Sequence, residues 1–147
     1  MPHKQEVAIL LVEDDPGHAR LIEKNLRRSN ITNDIVTIND GQQAVDYLFG
    51  EGHYSGSKPH RPILVLLDLN LPGLDGYQVL RRMKGDDRTK RIPVVILTTT
   101  DDAREVERCY DLGCNVYMTK PVDYEQFSDA IRKLGLFLMV VTIPDGE

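Results

Sequence analysis

The chain contains few of the residues that carry redox and transition-metal chemistry. Its 147 residues include two cysteines, Cys109 and Cys114, four histidines and no tryptophan. The cysteine spacing fits neither a CxxC redox pair nor a zinc knuckle, and the scattered histidines show no ligand spacing. We therefore expect both cysteines to be small apolar residues of a core, and we expect no transition-metal site.

The sequence also lacks a membrane segment, a secretion signal and an excess of positive charge. Its longest apolar stretch, 134–143, falls well short of the roughly 20 residues that cross a bilayer. No apolar signal region follows the first residues. There are 18 basic against 23 acidic residues, a formal net charge of −5, so nothing indicates a surface for nucleic acid. We expect a cytoplasmic protein that binds neither membrane nor nucleic acid.

The sequence does contain a regular alternation of strand-like and helix-like segments. Branched apolar runs predict strands at 7–12, 34–38, 63–67, 94–97 and 115–118. Apolar stripes predict helices over 16–29, 42–49, 77–83, 103–112 and from about 123 to 134. Strands that are apolar on both faces belong in a parallel sheet covered by helices on both sides. One α/β domain with a doubly wound, five-stranded sheet is predicted, with its functional crevice beyond the carboxyl ends of the strands.

Polar side chains follow four of these strands. They are Glu13 and Asp14 after the first strand, Asp68 after the third, Thr98 after the fourth and Lys120 after the fifth. If the three central strands lie side by side, the three carboxylates converge and repel one another unless a cation compensates. Oxygen ligands without histidine or thiolate favour Mg²⁺, which keeps positions open for phosphoryl oxygens. Lys120 supplies a cation, and Thr98 a hydroxyl donor, for that group.

Asp68 is the candidate nucleophile, because it stands where the longest buried run meets a loop. A carboxylate can attack phosphorus to give an aspartyl phosphate, and the metal and the lysine neutralise the charge that develops. Taken alone, the acidic cluster that begins at Glu13 could equally be a solvated surface. Asp15 is better explained as the N-cap of a helix that begins at Pro16.

Four segments, VEDD, LLDLNLPGLDGYQVL, PVVILTTT and GCNVYMTKP, resemble in this order the receiver family of bacterial two-component response regulators. The resemblance covers residues 6–134. It implies the flavodoxin-like (βα)₅ fold with strand order 2-1-3-4-5. It also implies a phosphorelay in which Asp68 accepts a phosphoryl group from the phosphohistidine of a sensor histidine kinase. Such a domain catalyses only its own phosphorylation and dephosphorylation.

The resemblance also implies a role for each residue of the site. Asp14 and Asp68 would ligate Mg²⁺ directly, Glu13 would act mainly through a metal-bound water, and Asn70 would offer its backbone carbonyl. Thr98 and Lys120 would contact the phosphoryl oxygens.

A further implication of the resemblance is a conformational switch. Thr98 and Tyr117 would rearrange together and alter the face of the fourth helix, fifth strand and fifth helix, although Tyr117 alone could be an ordinary strand aromatic. The Lys120–Pro121 bond is expected to be cis. Thr99 stands where the family has a very small residue and is expected to narrow access to the site.

Two features depart from the common receiver pattern: a polar, glycine- and proline-rich insertion at 50–62, called the insertion below, and an apolar tail at 135–147. Both resemble single-domain receivers that work with bacterial phytochrome kinases. The insertion fits either a tolerated surface loop or a partner contact. The apolar tail must fold back or be covered by another chain, and we favour a homodimer through the last helix and tail. No output domain is expected, so the output would be a protein contact.

Two other classes of protein share parts of this pattern. A phosphohydrolase of the haloacid dehalogenase type also forms an aspartyl phosphate, but it needs a carboxylate where this chain has Asn70. A flavodoxin-like carrier binds a phosphate in its first loop, and in this chain the carboxylates of Glu13 and Asp14 would repel that phosphate. A receiver that never accepts phosphate is a third alternative.

Overall fold

The computed structural model describes residues 8–56, 58–120, 123–130 and 132. Within these ranges strands and helices alternate along the chain. The strands are β1 (Ile9–Val12), β2 (Ile35–Ile38), β3 (Leu64–Asp68), β4 (Val94–Thr98) and β5 (Val116–Thr119). The helices are α1 (Pro16–Arg28), α2 (Gly41–Phe49), α3 (Gly76–Lys84), α4 (Ala103–Asp111) and α5 (124–130), with a short 3₁₀ turn at Gly52–Tyr54.

The five strands form one parallel sheet in the order β2-β1-β3-β4-β5, which confirms the predicted topology. β1, β3 and β4 are buried along their whole length, as their continuous apolar runs predicted. The register pairs Val12 with Leu67, and Asp68 with Leu97. The carboxyl ends of the three central strands therefore lie at one level, so that the residues following them meet at one edge of the sheet.

Alternate residues of each central strand serve two separate cores. In β3, Val65 and Leu67 pack with α2 and α3, whereas Leu64 and Leu66 pack with α1 and with Phe127 of α5. This is the physical reason for runs without polar alternation, because both faces of the sheet are covered. Cys109 and Cys114 are free and buried in the first of these cores, as predicted.

The helix termini follow local capping signals. Asp15 caps α1, Pro16 is its first residue and Ser29 is its C-cap, all as predicted. α3 begins with a capping box in which Asp75 and Gln78 exchange side-chain-to-backbone hydrogen bonds. The predicted boundaries of α1 to α4 agree with the observed ones to within one residue, which is inside the scale at which helix ends fray.

The insertion packs against α2 and α3. The ring of His60 stacks on Tyr47 of α2 with centroids 4.2 Å apart, and Glu51 forms an ion pair of 2.8 Å with Arg82 of α3. The insertion is thus anchored at both of its ends.

Three of the predictions from the sequence concern residues outside the described ranges. They are the tail at 135–147, the Lys120–Pro121 bond and the end of the last helix at about 134. Within the described ranges, no helix has both the length and the apolar character that a membrane span requires.

Candidate functional site

Glu13, Asp14 and Asp68 converge beyond the carboxyl ends of β1 and β3. One carboxylate oxygen from each lies within 4.8 Å of the others, a grouping that could hold a metal ion. Glu13 and Asp68 are buried, whereas Asp14 is exposed and opens the cluster to solvent. Glu13 follows Val12, which pairs with Leu67, so the sheet register itself places Glu13 beside Asp68.

Lys120 lies between the two buried carboxylates. Its Nζ is 2.5 Å from Oε1 of Glu13 and 3.3 Å from Oδ2 of Asp68, and its side chain is 8% exposed. Burial raises the pKa of Glu13, and the hydrogen bonds from Lys120 and from the backbone N–H of Asp15 oppose that rise only in part. A divalent cation bound here would, like Lys120, favour the ionised form of these carboxylates.

The carboxylate of Asp68 is held at both oxygens. Oδ1 accepts a hydrogen bond of 3.0 Å from the backbone N–H of Asn70, and Oδ2 faces Lys120. Gly76, the first residue of α3, approaches the same segment closely. A Cβ at position 76 would lie 2.4 Å from the carbonyl oxygen of Asp68 and 2.6 Å from Cα of Leu69. The loop after β3 thus returns to the strand end at a distance that only glycine permits.

A chain of hydrogen bonds joins Thr98 to Tyr117. The backbone N–H of Thr100 donates to Oγ1 of Thr98 at 3.4 Å, and the Tyr117 hydroxyl donates to the carbonyl oxygen of Thr100 at 2.6 Å. Thr98 is buried, Tyr117 is half-buried and Thr99 is exposed. The two residues that the resemblance paired are therefore connected through the first residues after β4.

The α4 helix, which follows this loop, has two further tyrosine contacts. The Tyr77 hydroxyl of α3 donates to Glu105 in the first turn of α4, and the backbone N–H of Tyr117 donates to the hydroxyl of Tyr110 at 3.2 Å. The hydrogen bond and burial together raise the pKa of Tyr77, burial being the larger cause. α4 is thus tied to both α3 and β5.

Sequence reasoning missed two residues at the site. His18 of α1 lies with Nδ1 3.3 Å from Nζ of Lys120, and Gly76 makes the close approach described above. The signal for His18 was its place two residues after the first residue of a helix that begins at the site. The signal for Gly76 was a glycine directly after the N-cap of α3.

The fold and the site define a class of protein, and a comparison with known families agrees. Residues 9–132 match the family described as the response regulator receiver domain. The chain belongs to this family, whose members receive their signal from histidine kinases. Receiver domains bind a divalent metal at an acidic pocket, and Glu13, Asp14 and Asp68 form such a pocket here. The resemblance to the receiver family is confirmed.

Among individual proteins, the chain is similar to response regulator Rcp1 of Synechocystis, with 39% identity over 92% of each chain. The Mn²⁺-bound structure of Rcp1 aligns with a TM-score of 0.76 at 38% identity, covering 93% of this chain and 98% of that one. A receiver domain from Rhodospirillum rubrum is 56% identical, with a TM-score of 0.75 over 95% of this chain and 98% of that one. The phosphorylated cyanobacterial phytochrome response regulator RcpA is 38% identical, with the same TM-score and the same coverage.

Family membership decides among the classes considered from the sequence. The chain is a signalling domain of a two-component system. It is neither a phosphohydrolase of the haloacid dehalogenase type nor a flavin carrier.

Proposed function

We propose that Asp68 accepts the phosphoryl group from a histidine kinase. The observation that carries this proposal is the environment of its carboxylate. The carboxylate ends a fully buried strand, accepts from the Asn70 backbone at one oxygen and faces Lys120 at the other. Those contacts hold one rotamer, and a fixed nucleophile lowers the entropic part of the barrier to in-line attack.

The metal that fits this site is Mg²⁺, which Asp14 and Asp68 would hold directly, Glu13 mainly through water and Asn70 through its backbone carbonyl. The donor set supports this choice, because the cluster offers carboxylate oxygens within 4.8 Å of one another and Mg²⁺ prefers oxygen ligands. The Mn²⁺-bound form of Rcp1 supports a divalent ion in a related protein. A bound Mg²⁺ neutralises charge on the phosphoryl oxygens.

Lys120 and Thr98 contact the phosphoryl oxygens. The Lys120 ammonium already lies 3.3 Å from Oδ2 of Asp68, so a small movement brings it to an oxygen bonded to phosphorus. A charged donor that is largely buried, as Lys120 is, stabilises developing negative charge more strongly than the same donor in bulk solvent.

Phosphorylation of Asp68 shifts the face formed by α4, β5 and α5. When the Thr98 hydroxyl turns to a phosphoryl oxygen, the Thr100 N–H loses its acceptor. The peptide of Thr100 then moves. Its carbonyl oxygen is the acceptor of the Tyr117 hydroxyl, so the Tyr117 side chain moves as well. α4 begins three residues after Thr100, so the movement reaches the surface through this helix.

The phosphodonor is a phytochrome-type histidine kinase. This finer assignment is supported by the similarity to the phytochrome response regulator RcpA and to Rcp1 over nearly the whole chain. The insertion, anchored on α2 and α3, is a surface where such a kinase could contact the chain beyond the common receiver pattern.

The phosphoacceptor is tested by incubating the protein with acetyl phosphate, a small acyl phosphate, and measuring the intact mass. We expect one added phosphoryl group that requires Mg²⁺ and that Asp68→Asn abolishes. Asp101→Asn removes an exposed carboxylate after β4 and serves as the matched control, which is expected to label like the wild type. An unmodified wild type, or a labelled Asp68→Asn variant, would refute the assignment.

The chain forms a homodimer through the last helix and the tail at 135–147. This proposal rests on the sequence, in which apolar residues surround the predicted helix axis from 136 to 143. Light scattering coupled to size exclusion is expected to give twice the chain mass for the full chain and the single-chain mass after removal of residues 136–147. An unchanged oligomeric state after truncation would contradict the proposal.

A further inference from the structure

The Lys120 ammonium has a third contact, to which the proposed mechanism gives no role. Its Nζ lies 3.3 Å from Nδ1 of His18, in addition to its contacts with Glu13 and Asp68. An ammonium group carries three N–H donors and no acceptor, so each contact can use one hydrogen. Since the ammonium can only donate, a hydrogen bond here requires Nδ1 of His18 to be the acceptor, with the ring hydrogen on Nε2.

The first turn of α1 fixes the place of His18. Asp15 caps this helix, and its Oδ1 accepts a hydrogen bond of 3.1 Å from the backbone N–H of His18. The His18 side chain is 47% exposed, whereas that of Lys120 is 8% exposed. The imidazole therefore stands on the solvent side of a nearly buried ammonium.

We infer that His18 is a positioning residue for Lys120, an inference that rests on the proposed phosphoacceptor role of Asp68. The ammonium is closer to Glu13 than to Asp68, at 2.5 Å against 3.3 Å. Without the imidazole acceptor, the third N–H turns to water and the ammonium is solvated on its outer side. Its position near Asp68 is then less strongly held, and less of its charge is directed at the incoming phosphoryl group.

Three variants separate hydrogen bonding from packing. His18→Ala removes the acceptor, and His18→Gln supplies an amide oxygen that can accept from Lys120. Leu21→Ala is the matched control, because Leu21 is 47% exposed on the same helix and its apolar side chain cannot accept a hydrogen bond. Both positions are solvent-exposed, so the three variants are expected to fold like the wild type.

The first measurement is the rate of phosphorylation by acetyl phosphate at saturating Mg²⁺. We expect His18→Ala to be slower by about fivefold, the scale of one ordinary hydrogen bond, with His18→Gln and Leu21→Ala within about twofold of the wild type. A wild-type rate for His18→Ala, or a His18→Gln variant as slow as His18→Ala, would overturn the inference.

The second measurement does not depend on phosphorylation. Exchange of the Lys120 ammonium hydrogens with water, followed by NMR in the unphosphorylated protein, is expected to be faster in His18→Ala and unchanged in His18→Gln. Equal exchange in the wild type and His18→Ala would overturn the placing of Lys120 by His18. A wild type that acetyl phosphate never labels would instead refute the role of Asp68.

Discussion

Replacing Lys120 with methionine is expected to lower the rate of phosphorylation by acetyl phosphate at least 100-fold, a loss on the order of those seen when one preorganised electrostatic donor is removed. The same change should lower the free energy of unfolding in metal-free buffer by about 3 kcal/mol, because Glu13 and Asp68 are then buried without a cation. The measurements are labelling kinetics by intact mass and urea unfolding with a chelator present.

The control for this variant is Lys84→Met at the far end of the domain. Lys84 is also partly buried and donates to the carbonyl oxygens of Lys90 and Ile92. Its replacement should cost stability without slowing phosphorylation. Each variant is compared with the wild type in the same buffer. Saturating Mg²⁺ should narrow the difference in free energy of unfolding between Lys120→Met and the wild type, because this variant leaves carboxylates unpaired at the metal site. The difference between Lys84→Met and the wild type should stay the same. If Mg²⁺ raises the free energy of unfolding of both variants equally, Lys120 does not compensate the charge of the acidic cluster.

The second large effect is expected for Gly76→Ala. The added Cβ would lie 2.4 Å from the carbonyl oxygen of Asp68 and 2.6 Å from Cα of Leu69, both backbone atoms that cannot turn aside. Overpacking of this kind costs about 1–3 kcal/mol. The added methyl group displaces Asp68, the residue that attacks phosphorus. We therefore also expect the phosphorylation rate to fall by at least about tenfold, because a misplacement of about 1 Å can lower a reaction rate about 100-fold.

Gly85→Ala is the matched control for the glycine variant. Gly85 caps the other end of α3 with a φ of −89°, which alanine adopts readily. Its added Cβ would lie 3.2 Å from the carbonyl oxygen of Arg81, a contact that a small shift relieves. We expect a change in the free energy of unfolding below about 1 kcal/mol and an unchanged phosphorylation rate. A Gly76→Ala variant with the labelling rate of Gly85→Ala would show that the close approach at β3 is not required.

The fold was predictable because its signals are local. Runs such as 63–67 are apolar at every position since β3 is covered on both faces, and Asp15 followed by Pro16 marks the start of α1 at the observed residue. Strand order was not predictable from these local patterns. The strand order came from the resemblance. β1 pairs with both β2 and β3, and the pairing of β1 with β3 depends on contacts between distant segments of the chain.

The site was predictable in its members but not in its contacts. The residues that follow the strands could be named because parallel strands end at one edge. The sequence could not show that Lys120 approaches Glu13, 107 residues away, more closely than Asp68, 52 residues away. These distances depend on side-chain rotamers, which have no signature in the sequence. For the same reason His18, 102 residues from Lys120, escaped notice.

The insertion illustrates a different limit of sequence reasoning. Its glycines and prolines predicted a loop, and its described residues, 50–56 and 58–62, form a loop with one 3₁₀ turn. Its anchoring depends on a ring stack between His60 and Tyr47 and on the ion pair between Glu51 and Arg82, contacts with no periodic signature. Composition therefore predicted the backbone type but not the attachment.

The identity of the phosphorylated residue is the central claim, and chemical trapping tests it most directly. Borohydride reduces an aspartyl phosphate to homoserine, which peptide mapping by mass spectrometry then locates. After treatment with acetyl phosphate and Mg²⁺, homoserine is predicted at position 68 and nowhere else in the chain. Homoserine at another aspartate, such as Asp14, or its absence from a protein that carries phosphate would contradict the account.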